Sequence, residues 1–385
     1  MVAAVRRGAS GRQVAKRFGV ARATLQLWVA RAQGRRLDRV DWSDLPRGPR
    51  RPANKVPPEL EETVLNLRRE LKETSALGEF GAEAIRREIV RQGLGHIPSV
   101  RTIGRILERR GALDGNYRVR RPAPPRGWYL PRVAAREAEV DSFDIVEGLV
   151  LRGGRAVETL NAVSLHGGLV EAWPRAKITA KAVVSLLSDH WQRFGRPHYA
   201  QFDNDTVFQG AHQHPDSLGR VVRLCCALQI TPVFTPPRET GFQAAIENFN
   251  GRWQAKVWAR FTHASRRELQ ARSAKFITAS RRRAAPRIEN APPRRPFPED
   301  WTFDLQTPLA GSVLFLRRTN EHGQVSLLGH SFHVHRNWPH RLVRAEVDLD
   351  QHLIRLYALR RRKPDYQPLF KTVPYTFPNK PFQGN

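Results

Sequence analysis

The sequence contains little cysteine, no long apolar run and few acidic residues relative to basic ones. Its two cysteines, Cys225 and Cys226, are adjacent, which excludes a disulfide framework. No run of about 18 apolar residues is present, and residues 1–10 lack the apolar stretch of a signal peptide, so we expect neither a membrane protein nor a secreted one. Because 40% of the 385 residues are hydrophobic, the chain can form ordinary buried cores, and an acidic disordered chain is disfavoured.

Basic residues greatly outnumber acidic ones. The chain has 65 Lys and Arg against 36 Asp and Glu, a net charge of +29. This excess predicts a polyanionic partner, and the many arginines favour phosphate and base-edge contacts in nucleic acid. A membrane surface is not expected, since no long basic amphipathic helix stands out. A genome rich in G and C would explain Arg in place of Lys, but not the excess of positive charge.

Changes of composition along the chain predict two to four domains. Segments rich in proline and arginine cannot continue a helix and are predicted as linkers. The expected fold is multidomain, with N-terminal all-α helix-turn-helix units, a central α/β core and a C-terminal small all-β barrel. The predicted boundaries are a helix-turn-helix at 1–35, a linker at 36–57, a second, winged or homeodomain-like helix-turn-helix at 58–112, a linker at 113–137, the core at 138–290, the barrel at 300–363 and a tail at 364–385.

Residues 11–30 have the pattern of a helix-turn-helix. Ala15 is small enough to stand where the two helices touch, and Gly19 tolerates the left-handed conformation of the turn. The apolar residues that would seat the second helix are Val20, Leu25 and Trp28. The residues expected to face the major groove of DNA are Arg22, Thr24 and Gln26. A helical hairpin without a role in DNA binding has the same pattern, and the basic surroundings favour DNA.

Residues 81–111 predict a second, less specific helix-turn-helix. Ile85 and Ile89 form one apolar stripe, and Ser99 is expected to cap the following helix. The second apolar stripe consists of Val100, Ile103 and Leu107. The residues that could face DNA are Arg101, Thr102 and Arg105. Amphipathic helices are also common in cores that bind no nucleic acid.

Carboxylates in the central region predict a metal-dependent site for phosphoryl transfer, because such sites often hold two divalent cations through Asp and Glu oxygens. Residues 138–174 predict three strands separated by glycine turns, and the first strand contains both Asp141 and Asp144. A buried carboxylate is costly unless it is paired or bound to a metal. Because these two are three residues apart, they point to opposite faces, and only one can join a given site.

Two further carboxylates follow at places where α/β proteins build active sites. Asp203 directly follows the apolar run 199–202, which predicts a strand that ends in a polar loop. Glu247 lies at the edge of an apolar helical face within 240–261. The cations that recur every four residues along this helix and could track phosphates are Arg252, Lys256 and Arg260. A solvated basic helix face is the alternative interpretation.

The sequences FDNDTVF at 202–208 and QAAIENFN at 243–250 resemble the second and third catalytic motifs of the retroviral-integrase-like DDE transposases. The order of the predicted domains is similar to that of bacterial insertion-sequence transposases of this superfamily. Carried over by motif, Asp203 matches the second carboxylate and Glu247 the third, with Asn204 and Asn250 as their usual neighbours. The first carboxylate is Asp144 or Asp141, with Asp144 slightly favoured by its distance from the glycine turn. The sequence departs from the pattern at Asp205 and Ala244, and the spacing 247 − 203 = 44 is longer than usual.

The resemblance implies an RNase-H-like core that cuts and joins DNA strands with two Mg²⁺ ions, for which Mn²⁺ can substitute. It implies double-stranded DNA at element ends and target, self-association on DNA, a nucleoid-associated place in a bacterial cytoplasm, and an ATPase for target selection as an open possibility. A non-enzymatic helix-turn-helix regulator and an inactive transposase relic are the alternatives. Zinc is not expected, because the spacing of His212, His214, Cys225 and Cys226 fits a structural zinc site poorly. The basic run 360–363 could add phosphate contacts or form a solvated tail.

Overall fold

A computed structural model describes residues 1–43, 56–95, 97–113, 126–211, 214–239, 241–361, 363–378 and 381–383. The chain divides into two units, Met1–Glu62 and Thr63–Asn385. Parts of both predicted linkers, at 44–55 and 114–125, lie outside the described residues, as do His212 and Arg362. Within the described ranges, no helix combines the length and the hydropathy needed to cross a bilayer.

The first unit contains the predicted N-terminal helix-turn-helix. Its helices are α1 (Val2–Arg6), α2 (Gly11–Arg17) and α3 (Arg22–Ala32), followed by a 3-10 turn at Leu37–Arg39. Gly19 has a φ of +64°, the left-handed conformation that the turn between α2 and α3 requires. Leu25 is 2% exposed and packs with Val14 and Ala15, so these apolar residues hold α3 against α2.

The second helical region comprises α4 (Pro58–Thr74), α5 (Ala82–Arg91) and α6 (Val100–Arg109). Ser99 caps α6 as predicted, because its hydroxyl oxygen accepts a hydrogen bond from the amide of Thr102 at 3.1 Å. The predicted burial of Val100 is wrong, since this residue is 40% exposed. Ile106 is buried in its place beside Ile103 and Leu107, at the spacing of one helical face.

A mixed sheet forms the centre of the second unit. The strands described in this unit are β1 (Val140–Val150), β2 (Ala156–Ser164), β3 (Val170–Arg175), β4 (Tyr199–Phe202), β5 (Thr231–Phe234), β6 (Ser312–Arg318), β7 (Gln324–Leu327), β8 (His330–His333), β9 (Leu342–Asp348), β10 (Leu353–Ala358) and β11 (Leu369–Pro374). All of them except β7 and β8 form the nine-stranded sheet, in the order β11-β10-β9-β6-β5-β4-β1-β2-β3. β1, β2 and β3 are antiparallel, whereas β4 and β5 run parallel to β1. This mixed sheet belongs to the α/β core that the sequence predicts.

Helices cover both faces of this core. They are α7 (Pro131–Ala134), α8 (Ala180–Phe194), α9 (Thr206–Gln209), α10 (Arg220–Ala227), α11 (Ala244–Trp253) and α12 (Arg266–Glu289), with a π-helical turn at Gln254–Trp258 after α11. α8 and α10 pack on one face of the sheet, and α11 and α12 on the other. The two adjacent cysteines are buried in α10, as their apolar surroundings predict.

The C-terminal strands do not form the separate barrel that the sequence predicts. β6 pairs with β5 of the core, and β9, β10 and β11 continue the same sheet. A two-stranded hairpin of β7 and β8 is separate from it. β11 lies within residues 364–385, which were predicted as a tail, so part of this segment is a strand of the sheet. Pairing with β6 covers what would be an open, unpaired edge of β5, a tertiary gain that the local pattern of strands and turns cannot reveal.

The predicted linker at 113–137 is also partly wrong. Trp128, Tyr129 and Leu130 are at most 4% exposed and belong to the apolar core around β5 and β6. The rings of Trp128 and Tyr129 lie 5.8 and 5.1 Å from the ring of Phe242. The flanking prolines and arginines stop a helix, but the three consecutive apolar residues still gain more free energy from burial than from exposure.

Candidate active site

The two carboxylates of β1 lie in opposite surroundings. Asp141 is 1% exposed, and both its oxygens accept hydrogen bonds from the guanidinium of Arg294, at 3.0 and 2.5 Å. The indole nitrogen of Trp191 donates a third hydrogen bond at 3.2 Å. Burial by itself would raise the pKa of Asp141, but the charge and hydrogen bonds of Arg294 more than reverse this and leave the pKa lowered. Asp141 is therefore an ionised, fully paired residue of the core.

Asp144 is half-buried on the other face of β1 and faces other carboxylates. Burial and the charge of Asp203, with a smaller contribution from Glu247, raise the pKa of Asp144 to about 6. A hydrogen bond of 2.6 Å from the side-chain amide of Asn250 opposes this rise without cancelling it. The three predicted acids Asp144, Asp203 and Glu247 thus lie near enough to interact electrostatically, and Asp141 is on the other side of the strand.

Parallel pairing of β1 with β4 explains why Asp203 lies near Asp144. The register joins Val140 with Tyr199 and Ser142 with Gln201, and the same offset carried two residues further joins Asp144 with Asp203. Burial raises the pKa of Asp203, while a 3.0 Å hydrogen bond from the amide of Asp205 lowers it. The sheet register thereby brings one carboxylate from each of two neighbouring strands to the same edge.

Glu247 comes to this edge on α11. Ile246, Phe249 and Trp253 are buried against β1, β2 and β3, so the helix is fixed by its apolar face as predicted. Glu247 lies on the exposed side in the first turn of the helix. A carboxylate at this end of a helix interacts favourably with the helix dipole.

A buried polar chain supports Asp144 from behind. Asn250 donates to Asp144 and accepts a hydrogen bond of 2.8 Å from the side-chain amide of Asn161. The amide oxygen of Asn161 accepts in turn from the hydroxyl of Thr159 at 3.2 Å. Asn161 is the direct register partner of Asp144 across β1 and β2. Sequence reasoning missed Thr159 and Asn161, although two polar residues that are two apart, and so share one face of a strand predicted for the core, were a signal that could have found them.

Two residues of the motif FDNDTVF hold the loop after β4. They are Asp205, which departs from the usual pattern, and Asn204, which follows Asp203. Asp205 caps α9 through a 2.7 Å hydrogen bond from the amide of Val207, which explains an aspartate at this position. Asn204 donates to the carbonyl of Thr235 at 2.7 Å and accepts from the guanidinium of Arg317 at 2.9 Å. Burial lowers the pKa of Arg317 to about 10. These contacts fix the loop that carries Asp203.

The donor set of this site fits a hard divalent cation. Among the residues described, no three His, Cys, Asp or Glu side chains converge closely enough to hold one ion. Mg²⁺ does not require such a cage, because it is usually bound by one or two carboxylates together with water and substrate phosphates. Burial and the charge of Asp203 raise the pKa of Asp144, and a cation held by the carboxylate oxygens of Asp144, Asp203 and Glu247 would offset both effects.

The predicted DNA-contact residues of the helical regions lie at the surface of their helices. Those exposed on α3 are Arg22, Thr24 and Gln26, and those exposed on α6 are Arg101 and Arg105. Thr102 is only half-exposed, and its hydroxyl lies 2.9 Å from that of Ser99 within the cap.

The basic stripe after Glu247 is less open than predicted. Arg252 is exposed, but Lys256 and Arg260 are half-buried. The guanidinium of Arg260 donates to the backbone carbonyls of Ser75 and Glu73, at 2.9 and 2.7 Å. The π-helical turn also interrupts the regular spacing of the three cations. The stripe is therefore partly covered by another part of the same chain.

A family profile described as a homeodomain-like domain matches residues 24–107, from α3 to α6. The match covers the helical part of the chain and agrees with the helix-turn-helix units that the sequence predicts there.

Three solved structures with weak similarity are integrases. The catalytic core of BIV integrase is 18% identical, with a TM-score of 0.26, and covers 36% of this chain and 81% of its own. An intasome of simian T-cell lymphotropic virus with the PP2A regulatory subunit B56 gamma is 16% identical, with a TM-score of 0.34 and coverages of 68% and 88%. The HTLV-2 integrase core with magnesium, in a dimeric form, is 13% identical, with a TM-score of 0.26 and coverages of 41% and 87%. These scores are too low to bear on function, and no curated protein matches the chain.

Proposed function

We propose that this chain is a DDE-type DNA transposase, a polynucleotidyl transferase that cleaves DNA at the ends of a mobile element and joins those ends to a target. The observation that supports this most strongly is geometric: the parallel register of β1 and β4 carries Asp203 beside Asp144, and α11, the helix of Glu247, contacts Asp144 through the 2.6 Å hydrogen bond from Asn250. The three carboxylates come from β1, from the loop after β4 and from α11, in a chain with a net charge of +29. Carboxylates arranged in this way serve phosphoryl transfer on a polyanion.

Asp144, Asp203 and Glu247 would hold two Mg²⁺ or Mn²⁺ ions. When bound, such ions activate the attacking water or 3′-hydroxyl and stabilise the leaving oxygen. Asn250 orients the carboxylate of Asp144, and Asn161 and Thr159 fix Asn250. The Asp203 loop is fixed by the α9 cap and by the contacts of Asn204.

The helical regions would recognise the terminal repeats of the element. In the first helix-turn-helix, the residues proposed to contact DNA are Arg22, Thr24 and Gln26. In the second they are Arg101, Thr102 and Arg105. Cleavage and joining of two ends together require at least two catalytic chains near each other, so we expect self-association on DNA. A chain that acts on DNA in this way would be associated with the bacterial nucleoid. Whether a partner ATPase chooses the target is a question that the proposal leaves open.

A strand-transfer assay tests the proposal. The substrate is a duplex taken from the flanks of the chain's own gene, with Mg²⁺ or Mn²⁺ and, as a control, excess EDTA. We expect joined products with the wild type, none with EDTA, and none with Asp203→Asn or Glu247→Gln. Binding of the flanking duplex without cleavage in either metal would leave a DNA-binding regulator or an inactive relic, and the catalytic proposal would be withdrawn.

A further inference from the structure

Residues 73–83 form an acidic segment within a strongly basic chain. This acidic segment, which joins α4 to α5, contains Glu73, Glu79 and Glu83 and no Lys or Arg. It lies against a basic face, which we define by Lys256 of the π-helical turn, Arg260 just after it, and Arg283 of α12. The opposite charges of the two surfaces make their contact favourable, and that contact depends on salt concentration.

Three sets of contacts hold the acidic segment on the basic face. Arg260 donates to the carbonyls of Ser75 and Glu73, at 2.9 and 2.7 Å. Arg283 forms an ion pair with Glu79 and lies 3.6 Å from Glu83. The side chain of Leu77 packs on the apolar core beneath α11 and α12.

The third cation of the basic face is covered by a glycine and an aromatic ring. The Nζ of Lys256 lies 5.9 Å from the centre of the Phe80 ring. Gly78 has a φ of +60°, and a Cβ atom added there would lie 2.6 Å from Cδ of Lys256. A side chain at position 78 would therefore strain the backbone and push the flexible end of Lys256 out of its present place.

The oxygens that the acidic segment offers to these cations are carbonyls and carboxylates, which are acceptors of the same kind as the phosphate oxygens of DNA. Lys256 and Arg260 of the basic face follow α11, which begins at Ala244 and carries Glu247 in its first turn. Beside the acidic segment, a cavity of about 490 Å³ opens onto further cations, among them Lys275. At about 1.5 Å per residue, Lys256 lies about 14 Å along the helix from Glu247, which is less than the length of about 34 Å of one turn of duplex DNA, so a duplex at the candidate active site is long enough to reach this cation.

We propose that the basic face binds the phosphodiester backbone of duplex DNA, and that in the DNA-free protein the acidic segment occupies this surface and must be displaced. DNA and residues 73–83 then compete for Lys256, Arg260 and Arg283. This inference rests on the proposed function only in taking duplex DNA as the ligand. It adds a self-masking contact that makes binding at the active site weaker than the charge of the chain alone implies.

Hydrogen–deuterium exchange of the full chain, with and without a 30-base-pair duplex of unrelated sequence, tests the displacement. The amide of Gly78 bonds to the carbonyl of Ser75 at 2.9 Å, and the amide of Glu79 to its hydroxyl at 3.1 Å. We expect amides of residues 75–80 to exchange faster when DNA is bound, while those of the central sheet do not. Unchanged or slower exchange at 75–80 would overturn the proposal.

A pair of glycine variants tests the competition without any change of charge. Gly78→Ala disrupts the contact with Lys256, whereas Gly93→Ala places the same side chain at a similar φ, +66°, where no atom lies within 4 Å. We expect Gly78→Ala to bind the unrelated duplex about three- to tenfold more tightly at low salt, as expected for loss of a competing surface contact. Gly93→Ala is expected to stay within about twofold of the wild type. Equal affinities of all three proteins contradict the competition.

A second pair keeps the test decisive if Gly78→Ala disturbs the helical region. Glu79→Gln removes one of the two carboxylates that pair with Arg283, and with it the ion pair of Glu79 with Arg87, whereas Glu88→Gln removes a carboxylate that bonds to Arg91 within the same region. We expect tighter DNA binding from Glu79→Gln than from Glu88→Gln, and equal gains would overturn the proposal as a mere charge effect. These experiments measure hydrogen exchange and DNA affinity and do not measure strand transfer. A chain without strand-transfer activity could therefore still show the competition, and a chain without the competition could still catalyse strand transfer.

Discussion

Asp141 and Asp144 stand on the same strand three residues apart, yet one is neutralised by a cation and the other is surrounded by acids. Asp141 is held by Arg294 and Trp191, and its pKa is lowered. Asp144 interacts with Asp203 and Glu247, and its pKa is raised to about 6. The same residue type on one strand is thus part of the core on one face and part of a candidate site on the other.

The comparison teaches that the partner, not the residue, decides the role. Arg294 is distant in sequence from Asp141, whereas the acids near Asp144 arrive from β4 and α11. A buried carboxylate with a well-placed guanidinium has its charge compensated, whereas carboxylates that lie near one another raise one another's pKa.

The largest expected effect is on catalysis. Asp144→Asn removes a carboxylate that the proposed metal site uses, and we expect strand transfer to fall by on the order of 10³-fold or more. Thermal stability should be unchanged or slightly higher, because the uncompensated charge is gone. The measurement is a strand-transfer time course together with a melting curve. Residual activity close to that of the wild type would assign the first carboxylate elsewhere.

The next largest effect is on stability, at Asp141. Asp141→Asn leaves Arg294 buried without its carboxylate, and we expect the free energy of unfolding to fall by about 3–5 kcal/mol. Urea unfolding measures this loss. Replacing both residues, in Asp141→Asn with Arg294→Met, should restore much of it, because no unpaired charge then remains. A double variant as unstable as the single one would contradict the pairing.

The raised pKa of Asp144 predicts a pH dependence of stability. The folded chain keeps a proton on Asp144 up to about pH 6, whereas the unfolded chain releases it near the ordinary value of 3.8. The folded state therefore binds more protons in this window, so its stability falls as the pH rises from about 4 to about 6, by up to about 3 kcal/mol. The free energy of unfolding of the wild type minus that of Asp144→Asn, measured without divalent cations, isolates this effect. A difference that is flat with pH would mean that neither burial nor the neighbouring acids raise the pKa of Asp144 in the folded chain.

Much of this arrangement could be predicted from the sequence, and the failures have a common cause. The strand that ends before Asp203, the helix that carries Glu247 and the glycine turns follow from local patterns, and the structure has them. The choice between Asp141 and Asp144 did not follow from local patterns, because it depends on Arg294, a residue that lies after the predicted end of the core at residue 290. The C-terminal barrel was likewise wrong because strand patterns indicate strands but not their partners, and the pairing of β6 with β5 is a tertiary event.

The smallest expected effect concerns the support of Asp144 by Asn161. Asn161→Ala removes the donor that fixes Asn250, so Asp144 loses its orientation but keeps its charge. We expect strand transfer to fall about 10- to 100-fold, as for other residues that orient metal ligands. The concentration of Mg²⁺ needed for half-maximal activity should rise as well. A variant that is only less stable would not show this rise at a temperature at which it is folded.

Thr159→Val is the matched control for this last prediction. It removes only the hydroxyl that donates to the amide oxygen of Asn161, and it leaves the bond from Asn161 to Asn250 in place. Thr159 and Asn161 are equally buried in β2. Thr159→Val should lose about 1 kcal/mol of stability, because it breaks one buried hydrogen bond, and Asn161→Ala about 2 kcal/mol, because it breaks two. If orientation of Asp144 matters, only Asn161→Ala changes the dependence on Mg²⁺. Parallel changes in the two variants would instead make the polar chain a purely structural feature of the sheet.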